Sequence, residues 1–569
     1  MTTPSPNLAR DYLGFFPGFD PSGLAGLARP LPSWALSTES PWQQWALAEG
    51  IVRGAPGNQV LMSAAAGLLC WSWLQRPLNA PTLTLLLTLE GRMQFFSPEN
   101  RAWLQALKKR LRPLPPNPAW EVLKAGGDFA AQVAFLEQAA TGSSAPAILG
   151  EAWEEIVALP DRDQAAAIIA TGAGDPSLEA RLLAELDYHH GRYHGGSFPP
   201  DLSGSPFAPW GGYLIGRLAA LAGDREAAAL AWEPLARAMP WNVNLALLLH
   251  DARHLTGTGI EPGAGASSGV GTDPGPLPPA RTAVLTYCWN KAELVAQTLE
   301  SIFASNIGEN PVFVLDNGST DRTPDALRAA RDRFGPDRLT VVTLPVNVGA
   351  PGARNWLLSV PEVRSCRYAA FLDDDVILPR DWLPRLLQAA ERHPECGTVG
   401  CSIRDHELPH RLQSADYHLL PRLPGEAGEE PGERLRLFSN CTGALDTGLF
   451  AYERPCLSVS GCCHLLDLSL LDSVGTFDVR FTPTQFDDLD RDIRSFLAGR
   501  PCLYTGHLAI DHVQRSSLRQ ASSPAQVAHI LGNKIKLEAK YDDKTLDRMI
   551  GQNFEMVWRD LLEKQAHLL

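Results

Sequence analysis

Tyr368-Ala-Ala-Phe-Leu-Asp373-Asp374-Asp375-Val-Ile-Leu-Pro379 is an apolar run that stops at three consecutive carboxylates. An apolar, β-rich run that ends on acidic residues predicts a buried strand whose carboxyl end lies at the edge of a sheet, where open α/β folds bind their ligands. Asp373 and Asp375 alternate along an extended backbone and therefore point the same way, so they can share one hard cation that carries a diphosphate. An acidic turn after a strand would also explain the tripeptide, and the neighbouring segments favour the ligand site.

Short β-rich runs alternate with helical patterns on both sides of this stretch, which is typical of a mainly parallel sheet. The predicted strands lie, in chain order, at 283–287, 312–315, 339–344, 368–372 and 397–403. Asn290 and Glu293 predict an N-cap and a capping box for the helix after the first strand. We therefore expect an α/β fold in this part of the chain.

Two further predicted strand ends carry polar groups that suit a nucleotide. The second strand leads into Asp316-Asn317-Gly-Ser-Thr-Asp, where a carboxylate before a glycine turn suits hydrogen bonds to a ribose or a pyrimidine. The third leads into Asn347-Val-Gly349-Ala-Pro-Gly-Ala-Arg354-Asn, where glycines permit close backbone approach and the arginine is a fixed cation for a diphosphate. Three successive strand ends thus carry residues that suit a nucleoside, a phosphate and a metal ion, in that order.

The three strand-end motifs together resemble the family 2 inverting glycosyltransferases of the GT-A fold, over roughly residues 281–515. The resemblance implies a GT-A mixed, mainly parallel sheet and a nucleotide-diphosphate sugar as donor. It implies that Asp373 and Asp375 are the DxD pair, which holds Mn²⁺ or Mg²⁺ against the diphosphate. The residues expected to contact the donor are Asp316, Asn317, Asn347, Gly349, Arg354 and Asp374.

A second acidic cluster, Asp487-Asp488-Leu-Asp490-Arg-Asp, follows Gly475-Thr-Phe-Asp near the end of this region. It resembles the Glu-Asp-x-Asp motif of the same family, with Asp487 in place of the glutamate. An inverting transfer needs a carboxylate that takes the proton of the acceptor hydroxyl. The resemblance assigns this role to Asp488, and the shortened side chain at 487 keeps Asp487 as the other candidate. These acids would also suit a helix N-terminus without any catalytic role.

His512 follows a strand-like run that begins at Cys502. It resembles the third protein ligand to the metal in many GT-A enzymes, although a single histidine is often structural. Imidazole together with carboxylates suits Mn²⁺ somewhat better than Mg²⁺. Residues 405–440 are too polar and broken to predict a core element, so they form either a loop over the active site or a surface insertion. Gly461-Cys-Cys-His464 either lines the acceptor pocket or forms a packed turn.

The first 255 residues have a helical pattern, with alanine and leucine at three- and four-residue spacing. Residues 205–250 resemble one tetratricopeptide repeat, although an irregular helical domain would explain them equally well. Residues 256–280 are rich in glycine, proline and serine, which predicts a flexible linker. We therefore expect an all-α domain, this linker, a GT-A domain at 281–520 and C-terminal helices at 521–569.

The 569-residue chain is too long for one hydrophobic core, so we expect two or three domains. Its formal net charge of -14 argues against nucleic-acid or anionic-membrane binding as the main task. Ten cysteines without a CxxC pair indicate neither a zinc site nor a disulfide framework, and they suit a reducing cytoplasm. The N-terminus lacks a secretion-signal pattern, and the longest apolar stretch, 60–74, is too short to span a bilayer. We expect a soluble cytoplasmic protein without a transmembrane segment.

The predicted function is metal-dependent, inverting transfer of a sugar to an acceptor hydroxyl on a glycan, a lipid-linked glycan or a protein. The helical domain is a candidate binding element for a protein partner. Two other interpretations stay open. The segment Asp373-Asp-Asp-Val also resembles the nucleophile motif of haloacid-dehalogenase-type phosphatases, although that motif normally lies on the first strand. The second open interpretation is a non-catalytic scaffold that senses a nucleotide sugar. The carboxylates at 373, 375, 488 and 490 argue against this scaffold, because folding alone does not need them.

Overall fold

The structure of the protein is a computed structural model. The residues that it describes are 15–17, 19, 32–36, 41–55, 57–111, 117–142, 144–192, 202, 204–255, 281–421, 434–439, 441, 443–513 and 523–566. The predicted linker at 256–280 lies outside the described residues. Among the described residues, no helix combines the length and the apolar character needed to cross a bilayer.

In the described part of the chain, thirteen α-helices precede the first strand of the sheet. They are α1 (Pro41–Gly54), α2 (Gln59–Gln75), α3 (Ala80–Met93), α4 (Pro98–Arg110), α5 (Pro118–Gly126), α6 (Phe129–Ala139), α7 (Ala145–Glu151), α8 (Trp153–Ala158), α9 (Arg162–Ala173), α10 (Pro176–His189), α11 (Ala208–Leu221), α12 (Arg225–Ala238) and α13 (Val243–His254). Many begin at an Asn or Asp whose side chain accepts a hydrogen bond from a backbone N–H of the first turn, as Asn58, Asp224 and Asn242 do. The predicted repeat at 205–250 contains α11 and α12, and its likeness to a tetratricopeptide repeat stays a prediction.

The C-terminal half alternates strands and helices. Its elements are β1 (Thr282–Cys288), α14 (Ala292–Ala304), β2 (Val312–Asp316), α15 (Thr323–Phe334), β3 (Leu339–Thr343), α16 (Gly349–Ser359), α17 (Pro361–Arg364), β4 (Tyr368–Leu372), β5 (Val376–Ile377), α18 (Trp382–Arg392), β6 (Thr398–Asp405), β7 (Leu412–Ser414), β8 (Tyr417–Leu419), β9 (Leu437–Ser439), β10 (Glu453–Cys456), β11 (Cys463–Asp467), α19 (Leu471–Val474), α20 (Asp487–Leu497), β12 (Cys502–His512), α21 (Pro524–Lys540) and α22 (Asp543–Ala566). The C-terminal helices predicted at 521–569 correspond to α21 and α22.

The main sheet has the strand order β10-β12-β6-β11-β4-β1-β2-β3, with β5 paired to β12 and β7 paired to β6. The strands β1 to β4 run parallel, β12 is parallel to β6, and β11 is antiparallel to both β4 and β6. Because parallel strands end at the same edge, the polar segments after β2, β3 and β4 lie on one side of the sheet. The predicted fold class, a mixed, mainly parallel sheet preceded by an all-α part, is confirmed.

The central strands are buried on both faces, which is why they read as continuous apolar runs. Val284 and Val314 belong to one apolar layer, which packs against α14, α15 and α18. Leu285 and Leu315 belong to a second layer on the opposite face, which packs against α16. Alternate side chains of one strand therefore anchor helices on opposite sides of the sheet, and this fixes the strand ends that carry the polar residues.

The helical part and the sheet share a hydrophobic core. A single cluster of buried apolar residues includes Trp71 and Trp210 from the helices, Tyr504 from β12 with the neighbouring Tyr452, and Val557 from α22. The predicted division of the chain into separate domains stays a prediction. The described residues before and after the predicted linker pack against one another in this cluster.

Two expectations for local structure are wrong. The first helical residue after β1 is preceded by Lys291, which lacks a side-chain cap, and Asn290 has a positive φ of 53°. The Asn290 side chain instead accepts a hydrogen bond from the Thr320 amide (2.8 Å), so it fixes the loop after β2. The segment 405–440 does contain core elements, because β7 pairs with β6 and Leu412 is buried in the shared core.

Candidate active site

The loops after β2 and β3 are fixed to each other by side-chain amides. The Asn317 side chain donates to Asn347 Oδ1 (3.0 Å) and accepts from the Val348 amide (3.0 Å). Asn347 Oδ1 also accepts from the Gly349 amide (2.8 Å). Asp316 is buried at the end of β2 and accepts from the backbone amide three residues further on (2.9 Å). The predicted nucleoside-side residues therefore form one rigid wall.

Gly349 starts α16 in a conformation and a space that only glycine fits. Its φ is +78°, and a Cβ there would lie 2.7 Å from Thr482 Cγ2 and 3.0 Å from Pro483 O. Its close approach allows the Ala350 amide to donate to Pro483 O (2.7 Å). The glycine thus brings the loop after β3 against the segment that leads into α20.

Arg354 joins the acidic groups that the sequence places far apart. It is buried, and its guanidinium binds Asp487 Oδ2 (2.7 Å) and lies 3.9 Å from Asp373 Oδ1. It also stacks over the rings of Tyr287 (5.4 Å) and Phe477 (5.1 Å). A planar guanidinium held in this way is a fixed positive charge beside the acidic triplet.

The second and third carboxylates of the triplet are held by a lysine that the sequence analysis did not single out. Lys291 Nζ binds Asp375 Oδ2 (2.8 Å) and Asp374 Oδ1 (3.1 Å), and the other Asp375 oxygen contacts His512 Nε2 (2.8 Å). Burial raises the pKa of Asp374 to about 7, against the opposing charge of Lys291. Burial would also raise the pKa of Asp375, but the contacts with His512 and Lys291 lower it below its ordinary value.

Asp373, Cys462 and His512 form a candidate metal group, in which one ligand atom from each lies within 4.8 Å of the others. The structure thus brings Asp373 and His512 together, as predicted, and adds a thiol. The predicted ligand Asp375 lies beside His512, which it contacts directly. The other His512 nitrogen, Nδ1, contacts Gln413 Oε1 (2.8 Å), so coordination by His512 would replace one of these two hydrogen bonds.

Asp487 and Asp488 begin α20 and have different surroundings. Asp487 is buried against Arg354, and burial raises its pKa to about 6 although the arginine opposes this shift. Asp488 is half-buried, and its Oδ2 accepts a hydrogen bond from the Gly461 amide (3.1 Å). Gly461 directly precedes Cys462 in the sequence, so Asp488 is hydrogen-bonded to the neighbour of a residue of the candidate metal group. The role of Asp488 as the base stays a prediction.

Asp490 has a structural environment. It is fully buried, and it binds Lys540 Nζ (2.6 Å), Arg494 Nε (2.9 Å) and Tyr541 Oη (3.2 Å). Lys540 and Tyr541 lie at the end of α21, so this carboxylate attaches a C-terminal helix to α20. For Asp490, the non-catalytic interpretation of the acidic cluster therefore describes the contacts.

The residues that sequence reasoning missed or left undecided are Lys291, Gln413, Gly461 and Cys462. Lys291 reaches the triplet from the start of α14, and Gln413 reaches His512 from a segment interpreted as a loop. Neither position stands out in a single sequence, because its partner lies 84 or 99 residues away. For Gly461 and Cys462, the sequence offered one clue, which was their position between an apolar segment and the acidic residues at the start of α20.

Residues 283–441 match the model of the glycosyl transferase family 2. The matched region is similar to family 2 glycosyltransferases and contains all three strand-end motifs. The chain is 29% identical over 244 residues to N-acetylglucosaminyl-diphospho-decaprenol L-rhamnosyltransferase of Mycobacterium tuberculosis, a match that covers 39% of this chain and 73% of the relative. It is 28% identical over 185 residues to succinoglycan biosynthesis protein ExoM of Rhizobium meliloti, covering 29% and 58%. The solved structure of GalNAc-T7 with UDP, GalNAc and Mn²⁺ is similar over 47% of this chain and 50% of that chain, at 12% identity and a TM-score of 0.36.

The predicted resemblance to GT-A glycosyltransferases of family 2 and the prediction of an enzyme are confirmed, because the family match spans the loops after β2 and β3 and the acidic triplet. The family match favours the glycosyltransferase interpretation of this region over the phosphatase one. The roles of individual site residues, the metal and the acceptor stay predictions.

Proposed function

We propose that this glycosyltransferase is metal-dependent and inverting, and that it moves a sugar from a nucleotide-diphosphate donor to an acceptor hydroxyl. The observation that carries the proposal is the convergence on buried Arg354. Asp487 binds one guanidinium nitrogen, Asp373 lies 3.9 Å from another, and Gly461, which holds Asp488, accepts a hydrogen bond from the guanidinium (3.5 Å). The residues proposed to bind the donor, to hold the metal and to act as the base therefore lie around the guanidinium of Arg354.

On the donor side, Asp316 and Asn317 bind the nucleoside, and the Asn347–Gly349 turn lets the backbone approach the donor closely. Arg354 faces the diphosphate as a fixed positive charge. Asp374 is a further donor-side candidate, and its contact with Lys291 places a cation beside the acidic triplet. These assignments agree with the positions of the side chains at the carboxyl ends of β2, β3 and β4.

Asp373, Cys462 and His512 offer the mixture of oxygen, sulfur and nitrogen atoms that fits a divalent ion. A bound Mn²⁺ or Mg²⁺ would neutralise charge on the departing diphosphate. Asp375 holds His512 through Nε2 and is itself held by Lys291, and its predicted place as a second DxD ligand remains part of the proposal.

On the acceptor side, Asp488 takes the proton of the attacking hydroxyl. The hydrogen bond from the Gly461 amide orients its carboxylate. Asp487 is held by Arg354 and therefore positions the arginine. We keep Asp487 as the second candidate because both carboxylates lie in the first turn of α20.

The acceptor classes are a lipid-linked glycan, another glycan or a protein. The name of the rhamnosyltransferase relative specifies an N-acetylglucosaminyl-diphospho-decaprenol, which makes lipid-diphosphate-linked saccharides the first class to test. We place the enzyme in the cytoplasm, and a protein partner on the helical part stays part of the proposal. All ten cysteines lie in the described part of the chain and are free thiols, which supports a reducing compartment.

The test is transfer by the full chain from UDP-, GDP- and dTDP-linked sugars, with Mn²⁺, Mg²⁺ or a chelator. We expect transfer to stop with the chelator and in Asp373→Ala and Asp375→Ala, whereas the exposed Asp337→Ala control stays active. The anomeric configuration of the product, measured by NMR, should be opposite to that of the donor. Full activity in the presence of the chelator would show that transfer does not need a metal ion. A product with the same anomeric configuration as the donor would show that the enzyme is not inverting.

A further inference from the structure

Cys462 differs from the other cysteines of the chain. It is half-buried, whereas the other nine are buried. Its Sγ belongs to the group in which Asp373, Cys462 and His512 each present a ligand atom within 4.8 Å of the others. A thiol in a turn that only packs the core would not need a carboxylate and an imidazole beside it.

The sheet itself places this thiol. In the antiparallel pairing of β4 with β11, Leu372 lies opposite Cys463, and the next position brings Asp373 opposite Cys462. The Asp373 amide donates to Cys462 O (3.0 Å), which continues the ladder by one step. Side chains at opposite positions of two antiparallel strands lie on the same face of the sheet. The backbone therefore holds the carboxylate and the thiol together before any ion binds.

The third ligand is placed by a different pair of strands. His512 lies opposite Val376 in the antiparallel pairing of β12 with β5, and β5 directly follows the acidic triplet. Three ligands thus come from three separate strand ends, each set by backbone register. A site built in this way needs side-chain adjustment only.

We propose that Cys462 is a direct protein ligand of the active-site metal and that its sulfur makes the site prefer Co²⁺, Zn²⁺ or Mn²⁺ to Mg²⁺. This inference rests on the proposed metal-dependent function. Thiolate and imidazole ligands favour borderline transition metals, whereas Mg²⁺ prefers oxygen ligands alone. On binding, the thiol proton passes to solvent, and the thiolate and the Asp373 carboxylate together balance the charge of the divalent ion.

The test uses Co²⁺ as the probe, added to the full chain with and without UDP. A Co²⁺–thiolate bond gives a charge-transfer absorption in the near ultraviolet, which is separate from enzyme activity. We expect this band in the wild type and its loss in Cys462→Ser, with Co²⁺ affinity reduced at least about tenfold and Mg²⁺ affinity unchanged. Cys366→Ser is the matched control, because the buried Cys366 thiol already donates to Glu362 O (3.4 Å) and a hydroxyl suits that contact.

A second measurement is alkylation of the half-buried thiol by iodoacetamide, read by mass spectrometry. Saturating Co²⁺ should protect Cys462 at least about tenfold in rate, and Mg²⁺ should protect it less. Co²⁺ binding without a charge-transfer band would overturn the thiolate ligand and leave the metal-dependent function intact. Failure of the wild type to bind Co²⁺ under either condition would overturn both. Equal loss of the band in Cys366→Ser would assign the sulfur ligand elsewhere.

Discussion

Asp487, Asp488 and Asp490 occupy one helical turn and have three different sets of partners. Asp487 binds buried Arg354, Asp488 accepts from a backbone amide, and Asp490 binds Lys540 of α21. A carboxylate that acts as a base must keep an oxygen available for the substrate proton. Both oxygens of Asp488 accept a backbone amide, Oδ2 from Gly461 (3.1 Å) and Oδ1 from Leu489 (2.8 Å). Asp488 is nevertheless half-buried, whereas Asp487 and Asp490 are buried, and for this reason it is the base that we propose.

Replacement of Asp488 by asparagine removes the proposed base and keeps the size of the side chain. We expect kcat of Asp488→Asn to fall at least about 100-fold, since positioned bases contribute roughly 10² to 10⁴ in rate. Donor affinity, measured by titration calorimetry with a nucleotide diphosphate, should change less than about twofold, because the donor contacts lie elsewhere. A normal kcat would return the role to Asp487.

The same replacement at position 490 should act on stability. Asp490→Asn leaves Lys540 and Arg494 without the charge that now binds both, and these contacts are largely buried. We expect the melting temperature to fall by more than about 4 °C, because loss of one partner from a buried ion pair is strongly destabilising. The measurement is thermal unfolding followed by circular dichroism. A loss of kcat without a loss of stability would contradict the structural role.

At the scale of elements, the turn before β11 controls the spacing between α20 and α16. A Cβ at Gly461 would lie 2.6 Å from Asp488 Oδ2 and 2.9 Å from Arg354 Nη2. Both charged groups would have to move, and a displacement of about 1 Å in an active site costs up to roughly 100-fold in rate. We expect Gly461→Ala to lose at least about tenfold in kcat while it remains folded.

Gly551→Ala is the control for this prediction, because Gly551 lies in α22 and an added Cβ meets no atom within 4 Å there. It should retain full activity and show equal or slightly higher thermal stability, since alanine favours a helix more than glycine does. Equal activity of the two variants would show that the turn tolerates displacement of Asp488 and Arg354.

The elements that the sequence predicted best are those with a strong local signal. The strands β1, β2, β3 and β4 lie within one residue of the predicted ranges, because β-rich runs between polar turns leave few alternatives. The α20 acids were also placed at a helix start. The short strand β7 was missed, because three residues with a polar centre carry no periodicity and its order comes from pairing with β6.

The residues of the candidate site were likewise predictable only where the local sequence carried a signal. Side chains at strand ends could be placed on one edge by topology alone, which holds for Asp316 and Asp373. The lysine and glutamine that bind the triplet and His512 could not be placed, because their contacts depend on the register of strands that pair far apart in sequence. The thiol of Cys462 became interpretable once β11 was known to pair antiparallel to β4.

At the scale of the whole molecule, ion pairs and hydrogen bonds connect the helical part to the sheet that carries the candidate metal group. Glu154 in α8 binds Arg76 (3.0 Å) and also Arg411 (2.6 Å), which lies next to β7, and β7 carries the Gln413 that contacts His512. The buried Asp251 of α13 likewise accepts from the Glu453 amide (2.6 Å). The helices therefore support the side of the sheet that positions the predicted metal ligand.

The pH dependence of stability tests this arrangement at Glu453, a buried residue of β10. Burial would raise its pKa, but the hydrogen bond with His393 and the charges of His507 and Arg392 lower it from 4.5 to about 2. A carboxylate with a lowered pKa in the folded state binds fewer protons there than in the unfolded chain. Its stabilising contribution is therefore complete above about pH 4.5 and is lost as the pH falls toward about 2.

Glu453→Gln should remove this contribution at every pH. We expect the variant to melt several degrees below the wild type near neutral pH, and the difference to shrink steadily as the pH falls below about 4.5, because the wild-type glutamate then becomes neutral as well. The exposed Glu362→Gln control should follow the wild type throughout. Melting temperatures from calorimetry across this range are the measurement. Parallel curves for Glu453→Gln and the wild type would show that the charge of Glu453 does not stabilise the fold.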